Sequence, residues 1–422
     1  MSAVRRVRLR AGGAPVLART LRPPVDEGDI ARTVASIVGD VRARGDEALV
    51  EDARRFGTPG FVHDHLRVPP VELEAAAGRL DPALRAAIIA AAAQVRTLAE
   101  AVVPGDQRVV LPHGQAVTVR AVPVDAAGCY VPGGRAAYPS SLIMAAVPAQ
   151  VAGVTRVVAV SPPGPGGRPH ETVLATAGLL GIEEVYATGG AAAVAALAYG
   201  TATIRPVAVI TGPGNAWVQE AKRQAAGVVG IDGIAGPSEV MVIADASADP
   251  RAIALDLLAQ AEHGTDSAAV LASDDPEVVE AVAAALAAEG EPLGAVTLVE
   301  CASMPLALEL AEAFAPEHLE ICARGAEEMA HGVCRAGAVF IGPHCATAYG
   351  DYVAGSNHVL PTGGAARFAS ALGPATYMRR MSVVEMGDEA VRALTPHLAV
   401  LAEAEGFPFH AASARARLEG LA

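Results

Sequence analysis

Aromatic side chains make up only 4% of this 422-residue sequence, although hydrophobic residues of all kinds make up 52%. A core of ample size must therefore consist mainly of alanine, valine, leucine and isoleucine, which favours closely packed, alanine-rich helices. Cysteine is scarce too, and the absence of any Cys-x-x-Cys pair excludes the zinc–cysteine motifs. The odd total of five fits reduced thiols in a cytosol: Cys129, Cys301, Cys322, Cys334 and Cys345.

Positive charge is also in deficit, with 32 lysines and arginines against 46 acids and a formal net charge of −14. There is no block of five like charges and no interleaving of aromatic and basic residues, so a nucleic acid would be repelled on average. We therefore expect a small-molecule partner and no nucleic acid. The length predicts two to three domains.

No membrane-spanning segment is expected, although the stretches 136–155 and 185–204 contain no charged side chain. Pro139 and Pro148 interrupt the first stretch and glycines interrupt the second, so both are better explained as buried strand, loop and helix. The start of the chain is rich in arginine, which we interpret as a short basic arm. The expected location is cytoplasmic.

The sequence lacks a G-x-G-x-x-G fingerprint and a P-loop lysine, yet strands, glycine turns and helices alternate along it. One series covers about 131–236, with turns at Gly189-Gly190 and Gly212-Pro-Gly-Asn215, and a second covers 240–341. This alternation predicts an α/β fold of two Rossmann-like parallel-sheet domains with helices on both faces, plus small N- and C-terminal helical extensions. The two turns are candidate anion sites, and tight structural turns explain the same glycines.

Four regions are expected from these patterns. They are an N-terminal arm over 1–27, a first α/β domain made of 28–130 together with 237–380, a second α/β domain over 131–236, and a C-terminal helical module over 381–422. Within the first hundred residues, helices are predicted over 27–50 and 82–103. A hairpin is predicted over 108–124.

One predicted helix, 250–263, carries polar side chains on a stripe near its C-terminal end. Asp249 is a good N-cap, Pro250 suits the first turn, and Gly264 suits the position just past the end. The stripe consists of Asp256, Gln260 and His263. Such side chains suit metal coordination or proton transfer, and a solvated helix end explains them equally well.

Acids, histidines and glycines gather in four other segments, which are favoured places for functional sites. They are Gly236-Pro-Ser238-Glu239, Ala315-Pro-Glu317-His318-Leu-Glu320, the loop with Gly350-Asp351-Tyr352 and Gly355-Ser-Asn357-His358, and the region of Glu405 and His410. The remaining histidines are interpreted as loop or surface residues: His63, His65, His113, His170, His331, His344 and His397.

In this order and at these separations, the segments resemble the histidinol dehydrogenase family, and the likeness runs from about residue 28 to residue 418. No single string would suffice, whereas six in register are specific. The strings are Gly128-Cys-Tyr130-Val-Pro-Gly-Gly-Arg135, Gly212-Pro-Gly-Asn215, Gly236-Pro-Ser-Glu239, Gln260-Ala-Glu-His263, Ala315-Pro-Glu-His318-Leu-Glu, and Gly350-Asp-Tyr followed by Asn357-His-Val-Leu-Pro361.

The resemblance implies a homodimeric, zinc-dependent enzyme that performs the last step of histidine biosynthesis. It would oxidise L-histidinol to L-histidine in two NAD-dependent hydride transfers through an enzyme-held aldehyde. Zinc would be bound by Gln260, His263, Asp351 and His410, with His410 completing the neighbouring subunit's site. Two imidazoles, a carboxylate and an amide oxygen suit an ion of the zinc type.

The resemblance also implies roles for other residues. His318 would take the alcohol proton and Glu317 would activate the water that hydrates the aldehyde, provided that a bend after Pro316 brings these neighbours together. NAD would be contacted by Tyr130 and Asn215, and the second α/β domain would be the NAD-binding one. Substrate contacts are expected from Ser238, Gln260, His263, His318, Asp351, His358, Glu405 and His410.

One position departs from the family pattern. The glutamine that contacts NAD in some members corresponds to Ala192 here, so one hydrogen bond to the cofactor would be missing. No implied ligand or catalytic residue departs.

Three alternatives stay open. A related zinc- and NAD-dependent dehydrogenase would apply the same chemistry to another small amino alcohol or a sulfonated diol, although Glu405 favours a substrate with an amino group. A zinc hydrolase could use Glu317, His318 and a metal to activate water, although no HExxH helix is present. A binding protein with a structural metal would have no use for that pair.

Overall fold

The computed structural model describes residues 4–23, 28–133 and 137–421. Two six-stranded, mostly parallel sheets with helices confirm the α/β fold class. Residues 1–3 and 24–27 of the expected N-terminal arm, and Gly134 and Arg135 of the first quoted string, lie outside the described residues. The chain divides into unit 1 (Met1–Val102 and Asp125–Tyr377) and unit 2 (Val103–Val124 and Met378–Ala422).

The helices and strands are numbered here in chain order. The strands are β1 (Val4–Leu9), β2 (Arg67–Val68), β3 (Gln107–Val110), β4 (Ala116–Pro123), β5 (Ala126–Tyr130), β6 (Arg156–Ser161), β7 (Glu184–Ala187), β8 (Val209–Thr211), β9 (Gly230–Ile231), β10 (Glu239–Ala244), β11 (Ala268–Ser273), β12 (Ala295–Cys301), β13 (His318–Cys322), β14 (Ala338–Ile341) and β15 (Met378–Glu385). The helices are α1 (Ala14–Ala18), α2 (Ile30–Arg44), α3 (Asp46–Arg55), α4 (Pro70–Arg79), α5 (Pro82–Val102), α6 (Pro139–Val151), α7 (Glu171–Leu179), α8 (Gly190–Tyr199), α9 (Ala216–Ala225), α10 (Pro250–Ala261), α11 (Pro276–Glu289), α12 (Met304–Phe314), α13 (Ala326–His331), α14 (Thr347–Tyr352), α15 (Asp388–Ala404) and α16 (Pro408–Glu419).

The first sheet of unit 1 has the strand order β1-β12-β11-β10-β13-β14, and all its neighbouring strands are parallel. Every residue of β10 and β11 is buried. Continuous apolar strands of this kind are typical of a sheet covered on both faces. Helices α10 and α11 cover one face, and α1 and α12 cover the other.

The N-terminal residues correct the expected arm. Strand β1 forms an edge of the first sheet by pairing with β12 from Val4–Val296 to Leu9–Cys301. Two of its arginines pair with acids, Arg6 with Glu280 of α11 and Arg8 with Glu300 of β12 at 2.8 Å. Charged side chains protect an edge strand from pairing with another chain. Counting arginines in the sequence could not distinguish such an edge strand from a solvated arm.

The second sheet has the order β2-β7-β6-β5-β8-β9, in which only the short β2 runs antiparallel. Helices α2, α3, α8 and α9 share one core with its strands, and α5 packs with α6 in another. The helices of residues 30–102 therefore belong with the second sheet, whereas the sequence analysis grouped 28–130 with 237–380. An apolar stripe shows that a helix is buried but does not identify its partner.

Unit 2 contains a three-stranded antiparallel sheet, β15-β4-β3, and the helices α15 and α16. The predicted hairpin is present as β3 and β4. Strand β15 was not expected, and it pairs with β4 along its whole length, from Met378–Pro123 to Glu385–Ala116. The hairpin therefore belongs with the C-terminal module and not with the first α/β domain. Pairing between strands so distant in sequence leaves no local signal.

None of the helices in the described ranges is long and apolar enough to cross a membrane.

Candidate active site

The implied catalytic residues, Glu317 and His318, lie at the amino end of β13, beside the amino end of β10 in the first sheet. Ligands of open α/β sheets usually bind at the opposite, carboxyl ends of the strands. A crossover helix runs antiparallel to its strands, so the C-terminal end of α10 reaches the same amino edge. This topology places Gln260, near the end of α10, at the same edge of the sheet as His318 at the start of β13.

Helix α10 begins at the predicted residue, Pro250, but ends at Ala261, before the predicted end at His263. The Asp249 carboxylate accepts a hydrogen bond from the Arg251 N–H at 2.9 Å, as an N-cap should. The helix ends at Ala261, so His263 lies just past it and is exposed. Gln260 is 5% exposed and its side-chain nitrogen has no hydrogen-bond partner. A buried amide left unsatisfied is costly, which indicates that this side chain serves a ligand.

The side chains of Glu317 and His318 lie close together, with Glu317 Oε2 3.6 Å from His318 Nδ1. The bend expected after Pro316 stays a prediction. Two residues before Glu317, Ala315 has φ of 50°, and among the described residues it is the only non-glycine residue with positive φ. Backbone strain of this kind concentrates at functional sites.

The His318 ring is oriented by the main chain of β10. Its Nδ1 lies 3.0 Å from the Glu239 carbonyl oxygen, so in the neutral ring this nitrogen carries the proton and donates it. The other nitrogen, Nε2, is buried without a hydrogen-bond partner, and Asp351 Oδ1 lies 3.5 Å from it. In its neutral form, His318 thus presents a free lone pair next to a carboxylate. That is the arrangement of a general base.

The charges around His318 change its protonation. Burial alone lowers the pKa of His318, but the charges of Glu317 and Asp351 outweigh burial and raise it to about 9. An ordinary histidine titrates near neutrality, so folding moves the pKa of His318 well away from the range typical of its residue type. A cation bound beside these carboxylates would offset their charge and return the pKa towards neutrality.

Glu317 is a buried carboxyl group whose charged form is disfavoured. Its Oε2 accepts a hydrogen bond from the Glu239 N–H at 2.8 Å. Burial raises the pKa of Glu317 to about 7, against the opposing charge of His318. A carboxyl group with a pKa near the working pH can both accept and release a proton.

Asp351 joins the histidines of the site. It lies on α14, and its backbone carbonyl accepts a hydrogen bond from Nδ1 of His358 at 2.8 Å. Burial raises the pKa of Asp351, but the interactions with His318, His358 and His263 outweigh it, and the pKa stays below its usual value. Burial lowers the pKa of His358. The structure therefore brings Asp351, His318, His358 and His263 into one neighbourhood.

A second carboxyl group, which the sequence analysis did not single out, anchors α14. Glu320 is fully buried two residues after His318 on the same face of β13, and its Oε1 accepts the Thr347 N–H at 2.6 Å. Helix α14 has no side-chain cap of its own. Glu320 therefore caps the first turn while His318 faces Asp351 four residues later. The two contacts fit together because the step from His318 to Glu320 along the strand and the step from Thr347 to Asp351 along the helix have similar lengths of about 6–7 Å.

We expect Glu320→Ala to lower the free energy of unfolding by about 1–3 kcal/mol, because a buried N–H loses its acceptor. Glu320→Gln keeps an acceptor and should preserve stability and activity. Burial and the charge of Asp256 raise the pKa of Glu320 to about 8 from an ordinary 4.5, so ionisation of wild-type Glu320 costs stability as the pH rises through this range. Urea unfolding from pH 5 to 8 should show that Glu320→Gln becomes relatively more stable with rising pH. An equal loss in both variants would exclude the capping role.

Arg22 and Glu239 support this neighbourhood, although the sequence analysis gave neither a role. The Arg22 guanidinium donates to both carboxylate oxygens of Glu239 at 2.7 Å, and the Gly363 N–H also donates to this carboxylate, at 2.6 Å. Glu239 is thereby fixed while its backbone holds Glu317 and His318. The preceding residue, Ser238, is half-buried. Glu239 belongs to the string Gly236-Pro-Ser-Glu239 that resembles the family, and that string could have pointed to a role for it.

The glycine turns lie at the carboxyl ends of the second sheet. Tyr130 ends β5 and its hydroxyl accepts the Gly190 N–H at 3.1 Å. Burial raises the pKa of Tyr130 to about 12, so the phenol stays neutral. Asn215 caps α9 by accepting the N–H groups of Trp217 and Val218 at 3.1 and 3.2 Å. The carboxyl ends of parallel strands, with helix N-termini beside them, are where open α/β sheets usually bind ligands.

Ala192 lies in the first turn of α8 and is buried in the core of the second sheet. Its methyl group offers no hydrogen bond to a cofactor. Ala192 therefore cannot make the hydrogen bond to NAD that a glutamine makes at this position in some family members. The effect of this loss on cofactor affinity stays a prediction.

Glu405 and His410 belong to unit 2. Glu405 terminates α15, and His410 lies in the first turn of α16, where its ring is 5.2 Å from that of Phe407. Both side chains are exposed.

Within the described ranges, no group of three or more His, Cys, Asp and Glu side chains has the geometry to hold a metal ion. The expected ligand set includes only two such residues from the main part of one chain, His263 and Asp351. A glutamine amide and the histidine of unit 2 make up the rest. The histidines interpreted as structural include His63, which lies 3.1 Å from Asp46.

Comparison with known proteins identifies the family. The sequence profile of histidinol dehydrogenase matches residues 20–418. The chain belongs to the histidinol dehydrogenase family. Curated family members include one from Rhizobium meliloti (strain 1021), 46% identical over 92% of both chains, and one from Thermobifida fusca (strain YX), 43% identical over 99% of this chain and 98% of its own.

Structural comparison agrees with this family. A crystal structure of histidinol dehydrogenase from Elizabethkingia anophelis matches with a TM-score of 0.94 at 29% identity, covering 100% of this chain and 99% of that one. An acetylating aldehyde dehydrogenase from Geobacillus thermoglucosidasius shares only the fold, with a TM-score of 0.51 at 16% identity. As a histidinol dehydrogenase family member, the chain is an NAD-dependent oxidoreductase that acts on alcohol and aldehyde groups.

Proposed function

We propose that this protein oxidises L-histidinol to L-histidine through L-histidinaldehyde, with two NAD⁺ and one zinc ion per active site, as the last step of histidine biosynthesis. The observation that carries the proposal is His318, whose Nε2 is buried, unbonded and 3.5 Å from the Asp351 carboxylate. A base placed beside a cation-binding group suits removal of the proton from a metal-oriented alcohol. Membership of the histidinol dehydrogenase family supports the choice of substrate.

The residues present fit zinc. Gln260 is buried and would bind the ion through its carbonyl oxygen, Asp351 keeps a depressed pKa, and His263 interacts electrostatically with Asp351. With His410 of the partner subunit they would supply two nitrogen and two oxygen ligands. Bound zinc would hold the amino alcohol in place and polarise its oxygen.

The catalytic pair, His318 and Glu317, would act in two different steps, oxidation of the alcohol and hydration of the aldehyde. His318 Nε2 accepts the hydroxyl proton while the carbon-bound hydrogen leaves as hydride to nicotinamide. Glu317, buried and with a pKa of about 7, takes a proton from the water that adds to the aldehyde. The resulting hydrate carries the hydrogen for the second hydride transfer. Both oxidations are thus balanced by one NADH each.

Substrate recognition would use both neutral polar and negatively charged side chains. Ser238 and His358 line the neighbourhood of the catalytic pair, and Glu405 would face the cationic amino group of histidinol. Since His410 and Glu405 lie on unit 2, we propose a homodimer in which this module completes the site of the partner subunit. A monomer would then be inactive. We also propose a cytoplasmic location for the enzyme.

For the cofactor, we propose that NAD lies along the carboxyl edge of the second sheet, next to Tyr130 and Asn215. Asn215 uses its carbonyl oxygen for the cap on α9, and its amide nitrogen has no hydrogen-bond partner among the described residues. That nitrogen can donate to the cofactor. Glycines at positions 190 and 212 allow the cofactor to approach the backbone.

The deciding experiment counts NADH. Purified protein with zinc and excess NAD⁺ should form two NADH per histidinol consumed, with histidine as product, as measured by absorbance at 340 nm and chromatography. A sulfonated diol serves as the comparison substrate. NADH from the diol but none from histidinol would shift the assignment to the related dehydrogenase, and substrate loss without NADH would indicate a zinc hydrolase.

A further inference from the structure

Lys222 stands out by its chemistry and its burial. It is the only lysine in the sequence, and all the other basic residues among the 32 are arginines. It is also 1% exposed, whereas lysine is almost never fully buried unless it is paired. A chain that uses arginine everywhere else has kept a compact ammonium group at one interior position.

The Lys222 side chain closes a small network around one glycine. Its Nζ donates to the Gly212 carbonyl at 2.6 Å and lies 2.7 Å from Asp232 Oδ1. The Gly212 N–H donates to the other oxygen of the same carboxylate at 2.7 Å. The N–H and the C=O of Gly212 are therefore both hydrogen-bonded to one buried ion pair, which we name the Lys222–Asp232 clamp.

Gly212 has a backbone conformation that a residue with a side chain could not adopt in this place. It has φ of +113°, and a Cβ added there would lie 2.2 Å from the Tyr130 carbonyl oxygen. It follows directly after β8, where the sheet no longer pairs its N–H and C=O groups. The Gly212–Asn215 turn is thus held at one end by the clamp and at the other by the Asn215 cap on α9, the helix that also carries Lys222.

We propose that the Lys222–Asp232 clamp is a positioning device for the cofactor, which fixes the Gly212–Asn215 turn in the shape that receives NAD. The inference rests on the proposed function, which assigns NAD to this edge of the sheet. Lys222 has no exposed surface from which to touch the cofactor itself. It acts through Gly212.

The same geometry explains why arginine does not serve here. An ammonium group places its donors around one atom and can reach a carbonyl and a carboxylate oxygen at 2.6 and 2.7 Å. A guanidinium is larger and planar, and in a fully packed interior its extra atoms force the neighbours apart. Lys222→Arg is therefore expected to behave as a disruptive change.

The test compares NAD affinity with thermal stability in the full-length protein. Lys222→Arg and Lys222→Met should weaken NAD binding, measured by calorimetry, about tenfold or more, because the turn loses charge-assisted hydrogen bonds. The KM for histidinol should change less than about twofold at saturating NAD⁺. The matched control is Arg156→Met, which breaks the Arg156–Glu184 pair at the amino edge of the same sheet. It should lower the Tm without changing NAD affinity.

A double variant separates positioning from folding. Lys222→Met combined with Asp232→Leu removes both buried charges, which often restores stability, yet leaves Gly212 without its partners. We expect a Tm near that of the wild type with NAD affinity still weakened. Wild-type NAD affinity in this variant or in Lys222→Arg would overturn the inference. Absence of NAD binding by the wild type itself would overturn the proposed function, a result that the wild-type titration reveals first.

Discussion

Asp351→Ala should lose bound zinc and histidinol oxidation together. Asp351 supplies the only carboxylate of the proposed ligand set, and loss of an interaction that merely supports a metal ligand already costs about 10–100-fold in affinity. Removing the ligand itself should exceed about 100-fold. His263→Ala should have the same double effect, because it removes an imidazole ligand from the same ion.

Metal analysis by mass spectrometry and NADH formation would be measured on the same preparations. The control is Asp64→Ala, since the Asp64 side chain is 97% exposed and lies outside the proposed site. That variant should keep both zinc and activity. A folded Asp351→Ala protein with one zinc per subunit would contradict the proposed ligand set, whatever its activity.

Glu317→Gln should block the second oxidation far more than the first. The amide keeps an oxygen that accepts the Glu239 N–H, so the backbone of the site is preserved. It cannot take a proton from water, and a positioned general base contributes about 10²–10⁴-fold to such a step. The first step depends on His318 and should fall much less.

Single-turnover experiments separate the two steps. NADH formation from histidinol in the first turnover should stay close to the wild-type rate in Glu317→Gln, whereas NADH from added histidinaldehyde should fall by about 10²-fold or more. His318→Gln is the informative comparison, because it should slow the alcohol step first. Equal loss of both steps in Glu317→Gln, with zinc retained, would rule out the division of roles.

The fold class could be predicted because its signals are local. The Asp249 cap, the glycines at 189–190 and 212, and the apolar runs of β10 and β11 each restrict the backbone within a few residues. The string that contains Glu317 and His318 was also recognised. These elements depend on chain sterics and short-range hydrogen bonds, which the sequence encodes directly.

Other features depended on which distant segments pack together. The partner of β15 is β4, the partner of β1 is β12, and the helices of residues 30–102 cover the second sheet. Glu320 and Lys222 gave no sign of their roles, because their function comes from the Thr347 N–H and the Gly212 carbonyl that folding brings to them. Protonation followed the same rule, since His318 departs from its ordinary pKa only because Glu317 and Asp351 are folded against it.

The sequence by itself determined the succession of strands, turns and helices and the residue types able to perform the chemistry, since these follow from local backbone preferences and side-chain composition. Only the tertiary structure decided the sheet edges, the unit to which each segment belongs, and the free lone pair of His318 beside Asp351. Burial, hydrogen-bond satisfaction and electrostatic interaction depend on distances between segments far apart in the chain. Those distances exist only once the chain is packed.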